Sequence, residues 1–170
     1  MKIDEMARRP CPNLVAVALA SILLASAARA SESLPDLTLT DVDHNTFRLH
    51  DLRGRVVLVD LVASWCIVCR QALPFYAELQ RKYGDAVAVV AVSVERDADD
   101  ARTWAHTLPP EIRMAYDADG KAAAALGMRA MPTLLIVDRD GRIRRRHESF
   151  TPDDRPAIES LVRELVGASE

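Results

Sequence analysis

The chain has 170 residues, 49% of them hydrophobic and 28% charged, with a formal net charge of −3. Length and composition suit one globular domain with a real apolar core. Three cysteines are too few for a fold built on a disulfide framework.

The first 30 residues have the pattern of a secretory signal peptide. Lys2, Arg8 and Arg9 make a basic start, residues 14–25 are apolar and uncharged, and Ala28-Arg29-Ala30 fits the small-x-small cleavage pattern. The apolar run is short for a membrane span. We therefore predict export to the periplasm, and an uncleaved membrane anchor is the alternative.

The mature domain predicted from this pattern spans residues 31–170. It keeps 18 Lys and Arg against 23 Asp and Glu, a formal net charge of −5, which argues against a nucleic-acid partner. If cleavage occurs, Cys11 leaves with the signal and only Cys66 and Cys69 remain. A secreted domain that keeps a single cysteine pair points to a functional role for that pair.

Apolar periodicity alternates between strand and helix along this domain, and no internal repeat is present. The nearly continuous apolar run at 56–63 indicates a central strand buried on both faces. In chain order the predicted elements are a hairpin at 37–39 and 46–49, this central strand, a helix that ends at Gly84, a strand at 87–94, a helix capped by Asp97, a short strand at 114–116, a helix at 121–126, a strand at 133–137, an edge strand at 142–147 and a helix with its apolar stripe over 158–166. This order predicts an α/β fold in which a mixed central sheet carries helices on both faces.

The segment Trp65-Cys66-Ile67-Val68-Cys69-Arg70 joins the central strand to the following helix. The unpaired N–H groups and partial positive charge of a helix N-terminus stabilise a thiolate, which is the form that attacks disulfides. We predict that Cys66 attacks. Cys69, one turn later, would then expel the bound substrate by closing an internal disulfide.

A zinc half-site and a structural disulfide are the alternatives for this pair. A zinc site needs two further ligands, usually as a second close pair, and the four histidines are scattered along the sequence. A disulfide across so short a loop removes little chain entropy. Redox chemistry is therefore the favoured interpretation.

Several motifs accompany the cysteines in a consistent order. Pro74 lies five residues beyond Cys69, Met131-Pro132-Thr133 precedes a strand, and an Asp-Gly turn follows that strand. Together they resemble the thioredoxin superfamily. The signal, the opening hairpin, Leu52-Arg53-Gly54 and an extra strand and helix between residues 113 and 126 are similar to its TlpA-like periplasmic branch.

The resemblance implies a thioredoxin-like fold and several site residues. Pro132 should be a cis proline against the disulfide, which leaves the N–H and C=O of Met131 free to pair with an extended substrate peptide. An ordinary trans proline that starts an edge strand is the alternative. Trp65 would lie beside the disulfide and shape the substrate surface, or else be a plain core tryptophan.

Asp60 lies six residues before Cys66, the position of the buried acid in thioredoxins. Its strand parity places it inside, where desolvation should raise its pKa. We predict that it takes the proton of the Cys69 thiol. The alternative is a carboxyl group at the edge of the core that is hydrogen-bonded to a backbone group and has no part in the chemistry.

Two positions depart from relatives within the branch. Ala72 stands where many TlpA-like reductases have Glu, and Thr133 stands where members dedicated to cytochrome c maturation have an acid, which argues against a haem-pathway specialist. The apolar dipeptide Ile67-Val68 lacks the usual proline. Because this dipeptide tunes the reduction potential, the direction of electron flow stays open.

The sequence thus predicts a periplasmic thiol:disulfide oxidoreductase that reduces disulfides in exported proteins, cytochrome c maturation being one such pathway. We expect no cofactor and no bound metal. A membrane electron donor is implied, since a reductase in an oxidising compartment must be recharged. The alternatives are a disulfide-donating oxidase, a Cu(I)-binding protein with His147 as a further ligand, and a non-catalytic binding module.

Overall fold

The computed structural model describes residues 32–168, so the predicted signal peptide lies outside the described residues. Seven strands and four α-helices are the main elements of this part of the chain. The strands are β1 (Thr38–Thr40), β2 (Thr46–Arg48), β3 (Val56–Val62), β4 (Val87–Ser93), β5 (Ile112–Tyr116), β6 (Thr133–Val137) and β7 (Ile143–Glu148), and the helices are α1 (Ile67–Tyr83), α2 (Ala98–Ala105), α3 (Lys121–Ala125) and α4 (Arg155–Gly167). Between residues 32 and 168, no helix is both long and apolar enough to cross a membrane.

Five of the strands form the main sheet in the order β5-β4-β3-β6-β7. β3 pairs in parallel with β4, and β4 with β5, whereas β6 runs antiparallel to both β3 and β7. Every residue of β3 and of β4 is buried. Continuous β-branched runs are suited to this central position, where both faces of a strand are covered. The predicted mixed sheet is confirmed.

Alternate residues of β3 pack into two separate core layers. One layer lies under α1 and α4 and contains Val56, Leu58 and Val62. The other lies under α3 and the β1–β2 hairpin and contains Val57, Val59 and Leu61. By this alternation Asp60 faces the first layer, which also contains Cys66 and Cys69.

The β1–β2 hairpin is joined to the main sheet through Asp41, a residue only 9% exposed. Its carboxylate accepts hydrogen bonds from the backbone N–H groups of Asp43 and Asn45, at 3.1 and 2.9 Å. It also accepts two from the Arg113 guanidinium of β5, at 3.1 and 2.8 Å. That guanidinium lies 3.7 Å from the ring centroid of Phe47 on β2. One carboxylate therefore shapes the hairpin turn and ties it to the edge of the sheet.

Most predicted elements occur within a few residues of their predicted positions, with small differences at helix ends. α2 ends at Ala105, so Leu108 lies in the turns after the helix. α4 extends one residue beyond its apolar stripe, to Gly167. The charged strand β7 is an edge strand, as predicted, and two of its arginines pair with Asp138 and Glu32.

We predict that Asp41→Ala lowers the free energy of unfolding by about 2 kcal/mol, because it removes the buried carboxylate that accepts hydrogen bonds from the hairpin turn and from Arg113. Urea unfolding of the domain measures this. Asp36→Ala is the matched control, since Asp36 pairs with Arg48 in the solvent and should change stability little. Equal destabilisation by both changes would contradict the anchoring role of Asp41.

Candidate active site

The cysteine pair lies at the N-terminus of α1, where the central strand β3 ends. Cys66 is the N-cap residue, and its sulfur accepts a hydrogen bond from the backbone N–H of Cys69 at 3.1 Å. The two cysteines form a disulfide. Cys66 is 8% exposed, whereas Cys69 is fully buried, with its sulfur 3.9 Å from the carbonyl oxygen of Leu61. A partner from solvent can therefore reach only the first sulfur.

The helix N-terminus explains how a negative sulfur would be tolerated at Cys66. The first N–H groups of a helix lack partners within the helix and carry partial positive charge. One of them already points at Cys66 Sγ. Such an environment favours the thiolate over the thiol, which is the requirement for attack on a disulfide.

Exposed apolar side chains flank the accessible cysteine on both sides. Trp65 is 68% exposed and Ile67 is 71% exposed. The interpretation of Trp65 as a core residue is therefore wrong, because the turn before α1 directs this side chain outward. Large apolar groups left in solvent are typical of surfaces that bind another molecule.

The segment before β6 completes this surface. The Met131-Pro132 peptide bond is cis, as the resemblance implies. Asp60 of β3 pairs with Leu134 of β6, and continuing this antiparallel register places Met131 opposite Ala63, at the end of β3. Met131 is half-buried and packs against the core layer that contains both cysteines.

Only some of the backbone groups around the cis proline form hydrogen bonds. The Pro132 carbonyl accepts a hydrogen bond from the N–H of Ser149 at 3.0 Å, and the Thr133 hydroxyl donates to the Ala130 carbonyl at 2.6 Å. Within residues 32–168, the N–H and C=O of Met131 have no hydrogen-bond partner. Free groups of this kind are what an added strand would require.

Asp60 is fully buried in the layer beneath α1, as its strand parity predicts. Neither carboxyl oxygen has a hydrogen-bond partner among the described residues. Burial raises the pKa of Asp60 from 3.8 to about 8, against a smaller opposing effect of the Leu61 backbone. The same burial, together with the charges of Asp60 and Asp154, raises the pKa of Tyr76. An acid with a pKa near neutrality therefore lies next to the residue whose carbonyl contacts Cys69.

Sequence reasoning missed one acidic residue at this end of the sheet. Glu95 follows β4 and is only 6% exposed, and its carboxylate accepts a hydrogen bond from the backbone N–H of Ser64. A polar residue shortly after a buried parallel strand is a signal for a site, because the carboxyl ends of parallel strands lie side by side. That signal was present in the sequence.

The described part of the chain shows no group of three or more His, Cys, Asp or Glu side chains that could hold a metal ion. His147, the candidate for a third copper ligand, lies on β7, and its Nε2 is 3.4 Å from a carboxylate oxygen of Asp154. Among residues 32–168, the polar contact of this ring is therefore with the residue that precedes α4 and not with the cysteines.

Comparison with known proteins agrees with this geometry. The Redoxin family model matches residues 29–162. The chain is 33% identical over 119 residues to the thioredoxin-like protein YneN of Bacillus subtilis, an alignment that covers 68% of this chain and 69% of that protein. It is 24% identical over 110 residues to the thiol-disulfide oxidoreductase ResA of Bacillus thuringiensis, and this match covers 64% of each chain.

Solved structures show the same relationship. A DsbE-type thiol:disulfide interchange protein of Chlorobium tepidum superposes with a TM-score of 0.76 at 33% identity, covering 81% of this chain and 97% of that one. The exposed lipoprotein thioredoxin Etrx1 of Streptococcus pneumoniae superposes with a TM-score of 0.67 at 30% identity, covering 77% and 100%. The chain therefore belongs to the Redoxin family, within the thioredoxin-like group that contains the TlpA- and DsbE-type thiol-disulfide oxidoreductases.

Proposed function

We propose that this thiol-disulfide oxidoreductase acts outside the cytoplasm and reduces disulfides in exported proteins. The observation that carries the proposal is the asymmetry of the pair, with an accessible Cys66 at a helix N-terminus and a buried Cys69 beneath it. This arrangement lets the Cys66 sulfur attack the substrate disulfide in the first step, while the Cys69 sulfur reacts only in the second step.

In the first step the Cys66 thiolate attacks one sulfur of the substrate disulfide. The substrate S–S bond breaks, a mixed disulfide forms, and the released substrate sulfur takes up a proton. In the second step Cys69 loses its proton and attacks Cys66 Sγ, which expels the second substrate sulfur as a thiol. The two cysteines have then given two electrons to the substrate. One of the two protons that the substrate gains comes from Cys69, and the other comes from solvent, which received it when Cys66 ionised.

Asp60 is the proposed acceptor of the Cys69 proton. Both groups face the same core layer, and the Cys69 sulfur touches the carbonyl of the residue after Asp60. A buried thiol needs a base within the protein, because water does not reach it. A carboxyl with a pKa of about 8 can accept and release a proton near neutral pH.

The substrate would bind as an extended segment across the cis-proline loop. The free N–H and C=O of Met131 offer two backbone hydrogen bonds to such a segment, and Pro132 holds the loop at the end of β3. Trp65 and Ile67 provide apolar contact on the other side of Cys66. Backbone pairing with apolar contact would recognise many sequences.

Location and partners follow from the N-terminal pattern and from the relatives. Residues 1–30 read as a signal peptide, and the superposed neighbours include a DsbE-type protein and an exposed lipoprotein. A reductase in an oxidising compartment needs a source of electrons, so a membrane electron donor is the expected partner. Ala72 and Thr133 are both buried and neither is acidic, so the proposal does not extend to a dedicated role in cytochrome c maturation.

The reduction potential of the Cys66/Cys69 pair tests the direction of electron flow. Equilibration of residues 31–170 with dithiothreitol or glutathione buffers should give a value near that of thioredoxin, about −270 mV. A value nearer that of a strong periplasmic oxidant, about −120 mV, would make the protein a disulfide donor and overturn the proposal.

We predict that Cys66→Ser abolishes disulfide reduction, whereas Cys69→Ser traps a mixed disulfide with the substrate, because attack proceeds but release does not. Turnover with insulin and mass spectrometry of non-reduced adducts measure the two effects. If Cys69→Ser formed no adduct with any substrate, or if Cys66→Ser formed one through Cys69, the assigned roles would be wrong.

We predict that Asp60→Asn slows release of the mixed disulfide by about tenfold to hundredfold at pH 7, because it removes the proton acceptor. Single-turnover kinetics at a series of pH values measures the step. In the wild type its rate should rise as the pH approaches about 8, where Asp60 becomes ionised. A variant with the wild-type pH profile would exclude this role.

The same substitution has an independent consequence for stability. Because burial raises the folded-state pKa of Asp60 from 3.8 to about 8, the folded protein holds a proton that the unfolded chain releases across this window. The free energy of unfolding should therefore fall as pH rises between these values, by up to roughly 1.4 kcal/mol per pH unit. Asp60→Asn removes that slope. Urea unfolding from pH 5 to pH 8 should therefore show the free energy of unfolding of the variant rising relative to that of the wild type. Parallel curves would show that Asp60 is not buried as a neutral acid.

We predict that Trp65→Ala raises KM for protein disulfides several-fold and leaves the reduction potential unchanged, because the side chain is exposed and outside the core. Kinetics is measured with insulin and with the small substrate oxidised glutathione. A rise in KM for insulin alone indicates that Trp65 contributes to substrate binding and not to the chemical step. An equal loss with both substrates would point instead to an effect on Cys66 itself.

A further inference from the structure

A buried acidic side chain lies behind the turn that presents Cys66, and the proposed mechanism does not use it. Glu95 is 6% exposed, and its carboxylate accepts a hydrogen bond from the backbone N–H of Ser64, two residues before Cys66. The two partners are 31 residues apart in the sequence. They meet because β3 and β4 are parallel and end together, with Val62 opposite Ser93.

This contact holds the part of the chain that aims the attacking sulfur. Cys66 closes the turn by donating its N–H to the Ala63 carbonyl at 3.0 Å, and the end of β4 donates one more backbone hydrogen bond to the end of β3. Between these two contacts, the N–H of Ser64 points inward to Glu95. Removing the acceptor would leave a backbone N–H unpaired at this point, which costs free energy and loosens the turn.

The charge of Glu95 has a second effect. Within residues 32–168 this carboxylate takes part in no ion pair, so no cation offsets it directly. A buried negative charge disfavours a second negative charge nearby. The disulfide form of the cysteine pair is neutral, whereas its reduced form carries the Cys66 thiolate. The helix N-terminus stabilises the Cys66 thiolate, and the carboxylate destabilises it. The carboxylate therefore favours the disulfide form of the pair.

We propose that Glu95 is a positioning residue that fixes the turn before Cys66 and biases the Cys66/Cys69 pair toward its disulfide form. A pair that prefers the disulfide gives up its electrons readily, so Glu95 directs the domain toward reduction of its substrates. The inference rests on the proposed function, because it requires a pair that cycles between dithiol and disulfide.

Two substitutions separate the charge from the hydrogen bond. Glu95→Gln keeps an oxygen acceptor for Ser64 and removes the charge. Equilibration with glutathione should show the equilibrium constant for reduction of the pair raised about tenfold, which is about 30 mV for a two-electron couple. The Cys66 thiolate, followed by its ultraviolet absorbance, should form at lower pH than in the wild type.

Glu95→Asp keeps the charge and withdraws the acceptor from Ser64 by one methylene group. Its reduction potential should stay near the wild-type value, while kcat/KM for insulin falls several-fold because the turn is looser. Asp100→Asn is the matched control: it makes the same charge change at an exposed position on α2 and should alter neither quantity.

The outcomes distinguish this inference from the proposed function. If Glu95→Gln has the wild-type potential while the wild type reduces insulin, the inference is wrong and the function stands. If the wild type itself does not exchange with glutathione, the proposed function is wrong, and the inference about Glu95 is wrong with it. Thermal unfolding checks that each variant folds. Should Glu95→Gln not fold, an unchanged kcat/KM in Glu95→Asp overturns the positioning role, and a reduced one supports it.

Discussion

The candidate site depends on the burial of β3 on both faces. Because one face packs under α1 and α4 and the other under α3 and the hairpin, this strand is fixed between β4 and β6. Its last residues therefore meet the end of β4 on one side and the cis-proline loop on the other. The cysteine pair, which follows directly, lies where these three segments converge. Reactive groups from distant parts of the sequence are brought together by a strand that carries no reactive cysteine of its own.

Much of this arrangement could be predicted from the sequence, because its signals are local. Continuous β-branched runs mark β3 and β4, Gly84 marks the end of α1, and Asp97 marks the start of α2. Strand parity predicted the face on which Asp60 lies, and the resemblance to thioredoxins marked its position as that of a buried acid. The cis bond before Pro132 came from the resemblance and not from the local sequence, since proline by itself is usually trans.

The missed features depend on contacts between segments far apart in the sequence. The hydrogen bond from Ser64 to Glu95 exists only because two parallel strands end at the same level, which periodicity does not reveal. The exposure of Trp65 depends on the path of the turn that the Cys66 N–H to Ala63 carbonyl hydrogen bond closes, and composition favours burial for a tryptophan. Likewise, the carboxylate of Asp41 has a typical turn position, but its contact with Arg113 spans 72 residues.

Both edges of the main sheet are protected against pairing with a strand of another chain. On one side the hairpin covers β5, where Asp41 bridges to Ala115. On the other side β7 carries a run of arginines, and charged edges discourage pairing with another chain. An extended segment of another protein could pair with any open edge of the sheet. With its edges protected, the domain can offer free backbone beside its cysteines without becoming a template for aggregation.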